Sequence, residues 1–217
     1  MKRRTLDLIV SAGGLVLAGL LLIVGLVLTS NANFANNYVH DQLAQQKISF
    51  KTADTLTAQE KQQACLVTYA GQPLTTGPQA ECYANHFIYV HLQGIAGGKT
   101  YAELGDVQTQ LKAQIATAQA NNSSNLADLQ KQLADANTNR ETVFKGETLR
   151  GLLLTSFGFS QFGDKAAQAA TVAYIATGVL ALLALFGFIH ALRTPTTVAF
   201  AAPQIPEARP TKQTAGV

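Results

Sequence analysis

Only two of the 217 residues are cysteine, and they do not form a Cys-x-x-Cys pair. That excludes a thioredoxin-like redox motif and a zinc knuckle, both of which need closely spaced thiols. No serine sits in a Gly-x-Ser-x-Gly elbow. The nearest approach to a phosphate loop is Gly94-Ile95-Ala96-Gly97-Gly98-Lys99-Thr100. The full pattern requires a glycine where this chain has Gln93, and a strand ahead of it. This stretch is therefore read as a helix–helix connection. Charge is scarce, at 13% of residues, and it is unevenly placed. Residues 30–165 hold 10 basic and 11 acidic side chains, a net of −1. The basic excess lies at the ends, in Lys2, Arg3 and Arg4 and in Arg193, Arg209 and Lys212. The middle lacks the basic, aromatic-interleaved face that nucleic-acid binding calls for, so no nucleic-acid partner is expected.

Two long apolar runs are the chain's strongest feature. Leu8 to Leu28 carries no charge, and a second run fills 166–192. Each reaches the ~20 residues that a helix needs to cross a hydrocarbon core of about 30 Å. The basic ends follow the positive-inside bias. The expected layout is a cytoplasmic N-terminus over 1–7, a transmembrane helix over 8–29, an extracytoplasmic helical domain over 30–165, a second transmembrane helix over 166–192 and a disordered cytoplasmic tail over 193–217. The tail's Pro195, Pro203, Pro206 and Pro210, with little apolar patterning, suit a segment that buries no core. A cleaved signal peptide also begins basic and then apolar, but its apolar core is shorter, so an uncleaved anchor is expected. Gly14 and Ala18, four apart in the first span, offer a face on which another helix can pack closely. Neither span shows a polar stripe to line a channel.

The middle reads as helices throughout. Phe34, Tyr38, Val39 and Leu43 share one side of a helix leaving the first span. Residues 57–70 predict a second helix, opened by a capping box at Thr57-Ala58-Gln59-Glu60 and closed by Gly71. Pro78 starts a third, running to Gln93. Cys65 and Cys82 fall on these two helices, and outside the cytoplasm the pair reads as a disulfide. Thr100-Tyr101-Ala102-Glu103 is another capping box. Beyond it, Leu104, Val107, Leu111 and Ile115 form a narrow stripe that Leu126, Leu129, Leu133 and Ala136 repeat after a polar turn. This predicts a coiled-coil hairpin arm over 100–145. Residues 146–163 are rich in Leu and Phe. They fit a helix lying in the membrane interface or packed on the helix that leaves the first span.

Metal chemistry has little to draw on. His86 and His91 are five apart, about 140° around a helix, and His40 lies far from both. No cofactor is expected.

Several stretches together resemble a known family. They are His40-Asp41-Gln42-Leu43 with Gln46-Lys47-Ile48; Tyr69-Ala70-Gly71-Gln72 with Leu74-Thr75-Thr76-Gly77; Tyr83-Ala84-Asn85-His86-Phe87 with Val90-His91-Leu92; Gly97-Gly98-Lys99-Thr100-Tyr101; and Gly146-Glu147-Thr148-Leu149-Arg150-Gly151-Leu152-Leu153-Leu154. This is an uncharacterised family of two-span membrane proteins, mostly actinobacterial, many of which carry the label aromatic ring-opening dioxygenase. The resemblance implies the two-span architecture. The label implies a non-haem iron centre, for which His40, His86 and His91 are the candidates. Such a centre needs ligands that converge in a substrate cavity, and the sequence scatters these three.

The expectation is an all-α membrane protein of the plasma membrane, with two transmembrane helices flanking an extracytoplasmic helical domain. Its role is that of a non-catalytic accessory, scaffold or sensing component. Its partners are the lipid bilayer and either another membrane protein or a second copy of itself. The alternative is the iron dioxygenase.

Overall fold

A computed structural model describes residues 2–198, so most of the tail expected over 193–217 lies outside them. Among the described residues the chain is all-helical and contains no strand. Two helices dominate: α1, Arg3–Gln45, and α6, Leu126–Arg193. Between them come the short helices α2, Ala64–Thr68, and α3, Gly77–Cys82. A π-helical stretch, Tyr83–Ile88, leads into α4, Tyr89–Gly94, and then comes α5, Tyr101–Ala120. The residues fall into two compact units. Leu28–Gln168 forms one, and the described residues on either side form the other.

In the flanking unit, α1 and α6 are both long and apolar enough to cross a membrane. They meet through small residues. Ala18, Ala184 and Ala191 are buried, and Ser11 is buried against Gly187. A Cβ added at Gly14 would lie 3.8 Å from that of Ala184. The Thr177 hydroxyl donates to the Ala18 carbonyl at 3.4 Å as well as to its own helix. Small side chains let two helix backbones approach closely enough for such contacts. Asp7 and His190 pair at 2.9 Å. The large aliphatic side chains, such as Val16 and Leu183, point outward.

The Leu28–Gln168 unit has its core where the C-terminal part of α1 meets α2 to α4 and the middle of α6. Val39, Leu43, Leu66, Leu74, Leu104 and Leu153 belong to it. Leu66 and Leu74 are fully buried, each worth roughly 1.5–3 kcal/mol relative to exposure. Residues 48–51 run beside 71–74, with Phe50 N–H donating to Gln72 O and Leu74 N–H to Ile48 O, both at 2.9 Å. Gly71 turns that chain at φ 73°, a conformation that costs glycine nothing. The Cys65–Cys82 disulfide joins α2 to the end of α3.

Beyond the core, α5 and the start of α6 form a helical hairpin. Val107, Leu111 and Ala118 pack against Leu129, Leu133 and Ala136. The Thr100–Glu103 box closes as expected, with Thr100 N–H donating to Glu103 at 2.7 Å and Glu103 N–H donating to Thr100 at 3.3 Å.

Three expectations need correction. Residues 57–70 are not one helix. Glu60–Gln62 makes a single 3-10 turn, Gln63 is extended (φ −91°, ψ 100°), and α2 begins afresh. The Glu60 side chain turns into the core rather than out to water. Residues 146–163 pack on the helix that leaves the first span, Leu153 sharing a core with Val39 and Leu43, but they are not a separate helix. They are the middle of α6, which also contains the hairpin's second limb and the second apolar run. Neither α1 nor α6 contains a proline, so nothing forces either helix to end where its composition changes. The stripe Phe34, Tyr38, Val39, Leu43 splits. Val39 and Leu43 enter the core, whereas Phe34 and Tyr38 stay exposed.

Gly77 sits where α3 touches α6. A Cβ there would lie 2.5 Å from that of Ser160, would collide with its hydroxyl, and would meet Phe157 Cα at 3.5 Å. Neither Cβ can rotate away, so the backbone must move. Gly77→Ala is expected to lower stability by about 2 kcal/mol, read as a lower urea midpoint for the full chain in detergent.

Candidate functional site

Among the described residues an ionisable cluster surrounds Glu60, whose side chain is 2% exposed. The Thr57 box brings it inward: Thr57 N–H donates to Glu60 Oε2 at 2.7 Å, and Glu60 N–H donates to Thr57 Oγ1 at 3.2 Å. Lys51, at the end of the extended stretch, donates from Nζ to Glu60 Oε1 at 2.7 Å. His91 on α4 places Nε2 3.4 Å from the same oxygen, and its Nδ1 lies 2.6 Å from the Phe87 carbonyl. The Phe87 ring lies beside both side chains, 5.3 Å from the Lys51 ammonium and 4.4 Å from the His91 ring.

Burial is the largest single influence on the Glu60 carboxyl and pushes its pKa up. The Lys51 hydrogen bond, the Thr57 amide and hydroxyl, and the Lys51 charge together outweigh it and hold the group below the usual carboxylate range. Tyr83 is pushed up, first by burial and then by the nearby Glu60 charge. A carboxylate that is ionised, buried and already accepting several hydrogen bonds has no proton to give and no open side to offer a substrate. Its work is to tie α4 and residues 51–60 together.

The histidines keep separate company. His40 pairs with its neighbour Asp41 at 3.2 Å. His86 Nδ1 lies 2.7 Å from Gln63 Oε1. His91 serves the Glu60 cluster. Among the described residues no three His, Cys, Asp or Glu side chains gather in a metal-holding group.

Lys51, Glu60 and His91 share no sequence pattern, since nine and 31 residues separate them. The capping-box spacing at Thr57 reveals the Glu60 turn but not its burial. A further box closes at Thr76 and Gln79, where Gln79 Oε1 accepts from the Thr75 and Thr76 amides at 2.9 and 3.0 Å. Its Thr-x-x-Gln spacing is legible in the sequence.

The second feature is an open groove of about 400 Å³ between residues 38–48, the end of α1 and the chain just after it, and residues 149–159 of α6. Leu43, Ile48, Leu149, Leu153 and Phe159 supply apolar walls, and no lining side chain carries a charge. Gln42, Gln46, Thr155 and Ser156 add neutral polar atoms.

No family model, curated protein or solved structure matches this chain.

Proposed function

We propose that this chain is a two-span plasma-membrane protein with both termini cytoplasmic, and that its extracytoplasmic helical unit is a non-catalytic binding component of accessory, scaffold or sensing type. Membership of the two-span actinobacterial family is part of the same reading. The observation that carries it is a division of labour among side chains. The most buried ionisable group, Glu60, is held by internal partners, while the apolar surface is left open. The large aliphatics of both long helices face outward along the apolar runs, an exposure that water penalises and lipid does not. The neutral groove in the other unit offers contact area without reactive groups. A disulfide within that unit suits an oxidising compartment.

The test is topological and compositional. The two native cysteines are paired, so a thiol introduced by substitution is the free one to label. A membrane-impermeant maleimide is expected to label Gln130→Cys on intact cells, and to label Lys2→Cys only after permeabilisation. The opposite pattern overturns the orientation. Release of the chain by alkaline carbonate overturns the membrane reading. Stoichiometric iron in the purified full-length protein, with its behaviour altered by His86→Ala, would overturn the non-catalytic reading.

A further inference from the structure

We infer that a polar recess of about 470 Å³ within the Leu28–Gln168 unit binds a saccharide; this rests on the non-catalytic binding reading above. Three segments wall it: residues 36–40 of α1, Tyr69 and residues 75–78 of the loop that the disulfide closes, and Ser160 with Asp164 on α6. Each wall is fixed by contacts of its own. The Thr76–Gln79 box holds the loop, and the Tyr69 ring packs on Phe50 at 5.5 Å. Ser160, 4% exposed, donates to the Phe157 carbonyl at 2.8 Å. A ligand entering such walls is spared the cost of ordering them. The volume lies within the roughly 300–1,000 Å³ typical of small-molecule sites.

The lining decides the class of ligand. No Lys or Arg lines the recess, so it offers no cation to a phosphate or carboxylate. A hydrocarbon would strip water from amides, hydroxyls and a carboxylate and return no hydrogen bond. Amide, imidazole and hydroxyl groups can each donate and accept, and every hydroxyl of a sugar does the same. Much of that capacity is unspent. Among the described residues the Asn37 amide and the Tyr69 hydroxyl make no side-chain hydrogen bond. His40 engages Nδ1 alone, with Asp41 at 3.2 Å. Asp164 accepts one long contact, from the Asn36 amide at 3.5 Å, and its carboxylate can take two neighbouring hydroxyls. By contrast, Glu60, Gln79 and His86 are engaged by partners inside the unit. Val39, Pro78 and the Tyr69 ring add apolar carbon for the C–H faces of a sugar ring.

The experiment uses the full chain in a polyoxyethylene detergent, because maltoside headgroups would compete. Saturation-transfer NMR is run with glucose, mannose, N-acetylglucosamine, glucosamine and chitotetraose at millimolar concentration. At least one neutral sugar is expected to receive saturation. Equal affinity for N-acetylglucosamine and chitotetraose identifies a free sugar as the source, and tighter binding of the tetramer identifies a glycan chain. Tyr69→Phe and Asn37→Leu should each weaken the responding sugar about 5-fold, the loss of one hydrogen bond. Gln130→Leu, on the hairpin, should leave it unchanged. Tyr69→Phe keeps the ring that packs on Phe50, and Asn37 is exposed, so neither change disturbs the core. If a variant misfolds, hydroxyl-radical footprinting of the unmodified chain decides the matter, with the sugar expected to protect Tyr69 and Pro78. No response from any neutral sugar, or a response without that protection and unchanged in both variants, overturns the site. The non-catalytic reading then stands, since only bound iron overturns it. A response to glucosamine alone, abolished by Asp164→Asn, overturns the sugar class in favour of an ammonium ligand.

Discussion

Replacing Glu60 by alanine is expected to destabilise the Leu28–Gln168 unit by about 3 kcal/mol, among the largest effects of any single substitution in this chain. The side chain is 2% exposed, so truncation leaves a void in the core as well as a lost ion pair. It also removes the acceptor for the Thr57 amide, a capping loss of about 1 kcal/mol. The cost stays below the upper range for buried pairs because Lys51 is 35% exposed and can turn its ammonium to water. Glu60→Gln keeps the volume and an acceptor oxygen, so it should cost less than half as much.

The pH dependence follows from the same contacts. The folded carboxyl titrates below its unfolded value of about 4.3. Its contribution is thus fully present above that value and is lost as pH falls through the lower, folded pKa. Urea unfolding of the full chain in detergent, followed by near-UV circular dichroism of its tyrosines, should show the wild type losing stability below about pH 4.3 more steeply than Glu60→Gln. Asp54, Glu103 and Glu141 are also held low by local hydrogen bonds, and they remain in both proteins. The difference between the two curves therefore isolates Glu60. Parallel curves would mean that the carboxylate is neither charged nor paired as its contacts require.

The contrast between Glu60 and the rest of the fold shows what a sequence carries. The apolar runs, the stripe of Val107, Leu111 and Ile115, and the boxes at Thr57 and Thr100 are local periodicities and spacings, and each has its counterpart in the structure. The disulfide is legible because two cysteines admit one intramolecular pairing. The length of α1 and α6 is not legible in the same way. A change from apolar to polar composition marks a change of surroundings, and a helix crosses it unbroken when no proline intervenes. The Glu60 cluster and the groove are invisible for a further reason. Their members come from segments that only tertiary packing brings together, and Lys51, Glu60 and His91 each look like an ordinary solvated residue in the sequence. Phe34 likewise reads as one member of a helix stripe, and Phe159 as part of a Leu- and Phe-rich interfacial or packed segment, until the structure shows them meeting on the surface.

Opening the Cys65–Cys82 bridge should cost about as much as losing Glu60. The bridge closes a loop with a sequence separation of 17, which the chain-entropy account values at roughly 3 kcal/mol. That is about a 150-fold change in the folding equilibrium. The closed loop contains α2, the Gly71 turn and the Thr76–Gln79 box, short elements that have little helical stability of their own. Cys65→Ala with Cys82→Ala should match reduction of the wild type. Cys82→Ser alone should be worse than Cys82→Ala alone, because Cys82 is 1% exposed and a hydroxyl there must find a partner in the core. Cys82 shares that core with Leu43 and Leu153, which also wall the groove. Reduction should therefore loosen the groove's inner wall, and hydrogen exchange should quicken at residues 39–46 and 149–156 as well as within the loop. Faster exchange confined to residues 65–82 would show instead that the bridge stabilises its own loop and nothing beyond it.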